Sequence, residues 1–526
     1  MTSTSLPRLL LAAALLAPAA ARAQERGAFV IITGGRDTLL VERFTRSPGS
    51  VEVVADLTRQ ARMAYTLHTG ADASVSAMEL RAWGAGAPET APPAQQGRVV
   101  FAGDSAVATL EAGGQPSTQT ARGARGALPM LSPSALLVEQ VLMRARAISP
   151  RDSAVVPVLT LGTTQVYTAR VRWMGADSAV LALGPVEVRA RVDAAGRMLG
   201  AAVPSQGVTI LRVADARGAA ATRPDYSAPA GAPYTAEEVR VPHPGGFQLA
   251  GTLTLPKERR GRVPAVVTIT GSGQEERDES ISALAGYRPF REVADTLGRR
   301  GIAVLRVDDR GFGASGGDPA RATTRDFAGD IAAVVAYLRA RPEIDPERIA
   351  LVGHSEGGVI APMVATEDPR IRAVVLVAGT SRPGRRVLQY QVRLGVEQDS
   401  TVAPAARDSA YRAAWAVWES MAERIPWLPF FLDYDPLPTA ARIRQPVLVL
   451  QGATDRQVTA DQAPELAAAV RGGGNRDVTL RVFPDLNHLM VTDPSGDPRG
   501  YGRLPSPRLS REFLGTLADW LATKLR

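Results

Sequence analysis

The chain contains no cysteine. That excludes disulfides, thiolate nucleophiles and cysteine metal centres, so packing has to hold the fold. Lysine is nearly missing: Lys257 and Lys524 are the only two among 61 basic residues. The remaining positive charge is arginine, spread along the chain without a dense basic run interleaved with aromatics. The net charge of +8 therefore reads as compositional bias, and no nucleic-acid partner is expected. Histidine occurs only at His68, His243, His354 and His488, without metal-ligand spacing. No metal and no cofactor are expected. Long apolar runs are absent as well. The longest, Leu9–Ala17, is too short to anchor a helix across a bilayer, so no stable membrane insertion is expected.

What is present is an ordinary globular composition in a chain of 526 residues, enough for two or three domains. The first 23 residues read as a signal peptide: Arg8, the apolar core Leu9–Ala17, and a small-x-small cleavage site at Ala21-Arg22-Ala23. The expected location is secreted or periplasmic. Residues 24–215 follow a period of two, as in Ala28–Thr33, Thr38–Phe44 and Tyr167–Trp173. This predicts a β-rich antiparallel accessory domain, curved or barrel-like, with one helix over Ser134–Ala147. Gly84–Gln96 and Ala112–Gly126 read as turn-rich gaps. His68 lies in a strand pattern and is expected to be structural. Residues 216–236, rich in Ala, Gly and Pro, read as a linker.

From 237 to 526 strands alternate with helices, which implies a mostly parallel sheet covered on both faces. Strand, turn, strand, then repeated strand–helix units match the α/β-hydrolase layout. Residues 380–444 interrupt the rhythm with helical segments and the aromatics Trp415, Trp418, Trp427, Phe430, Phe431 and Tyr434, and read as a helical cap insertion.

The chemistry centres on Ile349–Val352 followed by Gly353-His354-Ser355-Glu356-Gly357. A strand, a Gly-x-Ser-x-Gly turn and a small-residue helix form the nucleophile elbow, with Ser355 exposed at its tip. A serine hydroxyl needs a base, and the base an orienting acid. His354 is tied to the elbow, His243 sits in a Pro-His-Pro turn, and His68 is in the accessory region. That leaves His488, directly after the last predicted strand. Asp455, at the carboxyl end of Val447–Gln451, is the acid; Asp461, Asp485 and Asp493 suit capping or solvent-facing roles better. The oxyanion would be held by the backbone N–H of Glu356 and of Ser272, in the Gly271-Ser272-Gly273 loop. The Glu356 side chain has no role readable here. Gly311–Gly317 lacks the Gly-Lys-Ser/Thr ending of a phosphate loop, and Asp308–Gly311 reads as a buried polar corner.

These residues resemble a known family. Thr270–Asp278, Asp308–Ser315, Gly353–Gly358, Gly452–Asp455 and Asn487-His488 are similar to the α/β-hydrolase superfamily, especially EstD-type bacterial carboxylesterases, with kinship to serine aminopeptidases and proline iminopeptidases. The resemblance covers about 238–526 and implies a serine carboxylesterase acting on small short-chain acyl esters. The rivals are an aminopeptidase and a noncatalytic binding protein on the same scaffold. Oligomeric state is not legible.

Overall fold

The computed structural model describes residues 24–526 except 34–36, 58–60, 85–89, 113–114, 132–133, 162–164, 184–185, 207, 215–224, 282–283, 285, 400–401 and 424. The signal-peptide reading and most of the early linker fall outside the described residues.

Among the described residues two sheets organise the chain. The first has 15 strands, all neighbours antiparallel except the terminal pair Leu128–Met130 and Ala154–Thr160. Residues of alternating strands pack around the helix Ala135–Ile148, which buries Leu136, Leu137, Val141 and Leu142. Ser134 caps this helix, accepting from the N–H of Leu137 at 3.1 Å. Glu42, buried in the adjoining strand, accepts from the N–H groups of Ala135 and Leu136 at 2.8 and 2.9 Å. A carboxylate is well placed there, because the first N–H groups of a helix have no partner within it. One expectation is corrected: the second turn-rich gap contains the strand Gln115–Arg122, at the edge of the sheet. Its Gln-Pro-Ser-Thr-Gln-Thr composition carries no apolar alternation, since an edge strand buries little; Ala121 is its buried residue.

The second sheet has eight strands, labelled here in chain order: β1 Tyr234–Pro242, β2 Gln248–Pro256, β3 Val263–Ile269, β4 Ala303–Val307, β5 Ile344–His354, β6 Ala373–Val377, β7 Val447–Gly452 and β8 Val478–Phe483. Their spatial order is β1-β2-β4-β3-β5-β6-β7-β8. β2 runs antiparallel to both neighbours and all later pairs are parallel. The central strands carry nearly unbroken apolar runs, such as Ala350–Val352 and Ala373–Val377, because both faces are covered. Helices Thr324–Ala340, Gly357–Glu367 and Gln462–Gly472 pack on one face, and Pro289–Gly298 and Arg511–Lys524 on the other. This is the α/β-hydrolase fold. β1 begins at Tyr234, inside the stretch read as linker, and pairs Tyr234 to Pro256. The preceding Tyr226 is docked rather than free: its hydroxyl donates to Glu276 at 2.9 Å and its ring lies 4.2 Å from the guanidinium of Arg277.

Between β6 and β7 lie the helices Gly384–Gln398, Arg407–Ala422, Trp427–Asp433 and Leu437–Ala440. Trp415, Leu428 and Leu432 form a small core of their own there, flanked by Trp418, Trp427 and Phe431. Among the described residues no helix is long and apolar enough to cross a membrane.

Candidate active site

All three side chains singled out for catalysis come from the carboxyl ends of parallel strands, where loops of an α/β sheet gather. β5 ends at His354 and the helix Gly357–Glu367 starts three residues later. The chain reverses so sharply that Ser355 adopts φ +53°, a left-handed conformation costly for a residue with a side chain. Close packing holds it there. A Cβ at Gly353 would lie 2.0 Å from the carbonyl oxygen of Gly357, and one at Gly357 would lie 2.3 Å from that of Ile269. No other residue fits at either position. The Ser355 N–H donates to the carbonyl of Val377 at 2.9 Å, pinning the elbow to β6.

Asp455 follows β7 and is buried. Its Oδ1 accepts from the N–H groups of Gln457 and Val458 at 2.7 and 2.9 Å, and its Oδ2 from Gln451 Nε2 at 2.9 Å. Held this way, Oδ2 sits 2.8 Å from His488 Nδ1. His488 is on the loop after β8. Asn487 shapes that loop by accepting from the N–H groups of Leu489 and Val491. Gly452 allows the two loops to meet, since a Cβ there would lie 2.1 Å from the carbonyl oxygen of Leu486. The other acids are occupied elsewhere: Asp461 pairs with Arg382, Asp493 bonds Asn487 and Ser495, and Asp485 faces solvent.

Ser355 and His488 are linked through His354, which the sequence left unassigned. The His354 ring lies 4.8 Å from that of His488, centroid to centroid, and its Nε2 donates to the carbonyl of His488 at 3.0 Å. Its Nδ1 is 2.8 Å from Glu279 Oε1. The same Glu279 oxygen accepts from the N–H of Gly271 at 2.8 Å. Glu279 and His354 therefore join three pieces of the site: the Gly271–Gly273 loop, the elbow and the histidine loop. Burial alone would push His354 down, but Glu279 outweighs it and holds the imidazole above its ordinary pKa. Among the described residues no hydrogen bond joins the Ser355 hydroxyl to His488. Such bonds are often long in unliganded sites and shorten when substrate binds.

The Gly271–Gly273 loop lies against the elbow, with a Cβ at Gly271 falling 3.3 Å from Ser355 Cβ. Gly271 N–H is committed to Glu279, whereas the N–H groups of Ser272 and Glu356 have no acceptor among the described residues. The loop rests on a buried polar corner. Asp309 accepts from Thr270 Oγ1 at 2.8 Å and from the Glu275 N–H at 2.9 Å. Enclosed there, and next to Asp308 and Glu279, its carboxyl is pushed up to about 8 although part of the residue remains in solvent. Arg277, fully buried, makes two parallel bonds to Asp308 at 2.9 Å each.

The two remaining histidines play other parts. His243 stacks on Phe247 at 4.2 Å and faces Asp330, and His68 faces Glu79 on a half-exposed strand. A groove of about 1030 Å³ lies on the first sheet, lined by Arg43, Asp56, Glu79 and Arg98 among others. It contains no nucleophile–base pair and its charges largely face one another, so it is no rival to the strand-end site. No group of side chains among the described residues could hold a metal ion.

Comparison with known proteins finds likeness over this region of the chain. Residues 266–500 match the model of the alpha/beta hydrolase family. Esterase EstD of Thermotoga maritima is 29% identical over 287 residues, covering 52% of this chain and 65% of the esterase, slightly under two thirds of its length. An uncharacterized peptidase, YuxL of Bacillus subtilis, is 26% identical over 271 residues, covering 50% of this chain and 36% of the peptidase. Among solved structures, the Pyrococcus furiosus esterase Pf2001 superposes with a TM-score of 0.42 at 18% identity, covering 57% of this chain and 95% of that one.

Proposed function

We propose that this chain, whose residues 266–500 match the model of the alpha/beta hydrolase family, cleaves carboxylic esters through a serine acyl-enzyme. The observation that carries the reading is the 2.8 Å contact of Asp455 Oδ2 with His488 Nδ1, on the same rim as the strained turn at Ser355. In this scheme Asp455 keeps the Nδ1 proton in place, so that Nε2 is the basic nitrogen. Nε2 takes the Ser355 proton as the oxygen attacks the acyl carbon. The tetrahedral oxyanion is bound by the N–H groups of Glu356 and Ser272, each worth on the order of a hundred- to a thousand-fold in rate. His488 then protonates the leaving alcohol. A water deprotonated by the same imidazole releases the acid and restores Ser355.

An ester is favoured over a peptide with a free amino terminus for a specific reason. Such a peptide needs an available acid near the nucleophile to hold its ammonium group. Glu356, the buried acid next to Ser355 in the chain, has its carboxylate occupied by Thr324 and Trp427, and Glu279, the other buried acid at the elbow, is bonded to His354 and to the Gly271 N–H. Short acyl chains are the proposed substrates. Export to the periplasm or medium, with cleavage after Ala23, belongs to the same proposal and rests on the residues of the N-terminus alone; mass spectrometry of the chain recovered from those compartments checks it. The activity test is turnover of p-nitrophenyl acetate and butyrate. Wild-type protein hydrolyses both, and Ser355→Ala abolishes it; full activity in purified Ser355→Ala protein contradicts the assignment.

A further inference from the structure

Glu276, Arg277, Asp278 and Glu279 are four successive charged residues, each 3% exposed or less. Charged side chains are buried only where partners meet them. The first three find theirs in the scaffold. Glu276 builds the turn itself: its Oε2 accepts from the Asp278 N–H at 3.0 Å and from the Tyr226 hydroxyl at 2.9 Å, and its Oε1 from the Ser280 N–H at 3.1 Å. Arg277 pairs with Asp308, and Asp278 with Arg306 and Arg288. Of the four, Glu279 is the one whose side chain reaches the elbow. Its backbone is held at φ +57°, the left-handed region, and its N–H donates to the Glu276 carbonyl at 2.7 Å. Glycine would take that conformation without strain. The turn carries a glutamate where the backbone suits glycine, so the side chain has to supply the reason.

Two groups meet the Glu279 Oε1: the Gly271 N–H and His354 Nδ1, each at 2.8 Å. A Cβ at Gly271 would lie 3.3 Å from this oxygen, 3.3 Å from Ser355 Cβ and 3.8 Å from His354 Nδ1. Loop, acid, elbow and imidazole therefore share one contact. His354 passes the constraint on. Its Nε2 faces the carbonyl oxygen of His488 at 3.0 Å and so carries a proton, while Nδ1 faces a carboxylate. With an acceptor at each nitrogen, the ring takes a proton on both, in keeping with its raised pKa, and Glu279 balances the charge. The next carbonyl is tied as well, since the buried Tyr287 hydroxyl donates to that of Leu489 at 3.1 Å. The backbone that carries the His488 imidazole is thus held at two successive residues.

We infer that Glu279 is a positioning residue: it holds the Gly271–Gly273 loop directly and the His488 backbone through His354, both in register with Ser355, and so serves the rate of acyl transfer rather than the binding of the ester. The inference rests on the ester-hydrolase reading and adds to it an acid that touches no reacting atom. Asp455 orients the base from its ring nitrogen. Glu279 orients the backbone under that base and the loop beside the nucleophile together, so two requirements of the reaction hang on one carboxylate.

The test is p-nitrophenyl butyrate turnover by the full chain, with active sites counted by fluorophosphonate titration. Glu279→Gly removes the carboxylate and suits the φ of the turn. Its kcat falls by about 100-fold, the scale of a displaced oxyanion donor, while KM stays within about two-fold, because the oxyanion forms only after substrate has bound. An alkyl trifluoromethyl ketone, whose adduct with the serine carries that oxyanion, binds about 100-fold more weakly to the same variant. Glu279→Gln returns an acceptor for the Gly271 N–H without the charge that balances His354, and recovers kcat to about ten-fold below wild type. A purely structural acid would lower the melting temperature and leave kcat per titrated site and ketone affinity unchanged. That result in Glu279→Gly overturns the positioning role while the ester reading stands. Where the glycine variant does not fold, the glutamine variant decides: a ten-fold loss in kcat at constant KM supports the role, and wild-type kcat overturns it. Wild-type protein inert toward the ester, and unlabelled, overturns both.

Discussion

Both sheets bury carboxylates, and they use them differently. In the first sheet Glu42 accepts from Tyr65, Ser134 and the N–H groups of Ala135 and Leu136, and Glu139 is enclosed by Arg46 and Arg212. Both acids are raised in pKa by burial, and their partners come from structural elements that close around them. In the second sheet the buried acids Asp455, Glu279 and Glu356 face the ends of parallel strands around a strained serine. There, each acid holds a group that itself has a free chemical face: His488 Nε2, the loop bearing Ser272 N–H, or the half-buried Trp427. A perturbed, buried acid is thus no site by itself. Convergence on the proposed nucleophile, with donors left open, is what separates the two regions.

The largest expected effect lies on the second sheet. Asp455→Asn leaves the loop geometry near native but deprives His488 of the acceptor that fixes its tautomer. Turnover of p-nitrophenyl butyrate should fall by about 10³–10⁴-fold while the melting temperature changes little. Loss of only a few-fold would make Asp455 a structural acid like Glu42, and the contrast between the regions would disappear.

The converse substitution sharpens the same contrast. Glu42→Ala removes the acceptor shared by the Tyr65 and Ser134 hydroxyls and orphans two helix N–H groups. It should destabilise the protein by about 3 kcal/mol in chemical unfolding, while kcat per titrated active site stays within about two-fold. A large fall in kcat per site would show that the first sheet takes part in catalysis.

The smallest effect is in pH dependence. Asp309 titrates near 4 when unfolded and at about 8 when folded. Between these values the folded chain keeps a proton that the unfolded chain releases. Its contribution to stability is therefore full below about 4 and is lost as pH rises through 8. Asp309→Asn cannot ionise, so its unfolding midpoint should decline less between pH 6 and 9 than that of the wild type. Urea melts across that range check the slope, and parallel slopes would contradict the buried-proton account.

How much of this could be read from the residues differs between the regions as well. The strand-end positions of Ser355, Asp455 and His488 are legible because their signals are local: glycines flanking a serine, and an acid and a histidine just past apolar strands. The braces between them are not. Glu279 and His354 lie 75 positions apart, and Glu356 and Trp427 71 apart. Only the strand order brings such pairs together, and nothing about a glutamate in Gln274–Glu279 distinguishes one that will meet a histidine. In the first sheet the apolar alternation of Tyr167–Trp173 reveals a strand, whereas Gln115–Arg122 hides one, because an edge strand buries too little to leave a periodic mark. The helix Ala135–Ile148 was visible in its apolar face, but the role of Glu42 at its N-terminus was not, since that acid is 93 residues away from Ala135.

The most direct measurement is fluorophosphonate labelling followed by peptide mapping of the wild type and of His488→Ala. The account predicts a single adduct on Ser355, formed at a rate that drops by at least about a thousand-fold when the imidazole is removed. An adduct on another residue, or labelling of Ser355 at an unchanged rate without His488, would contradict it.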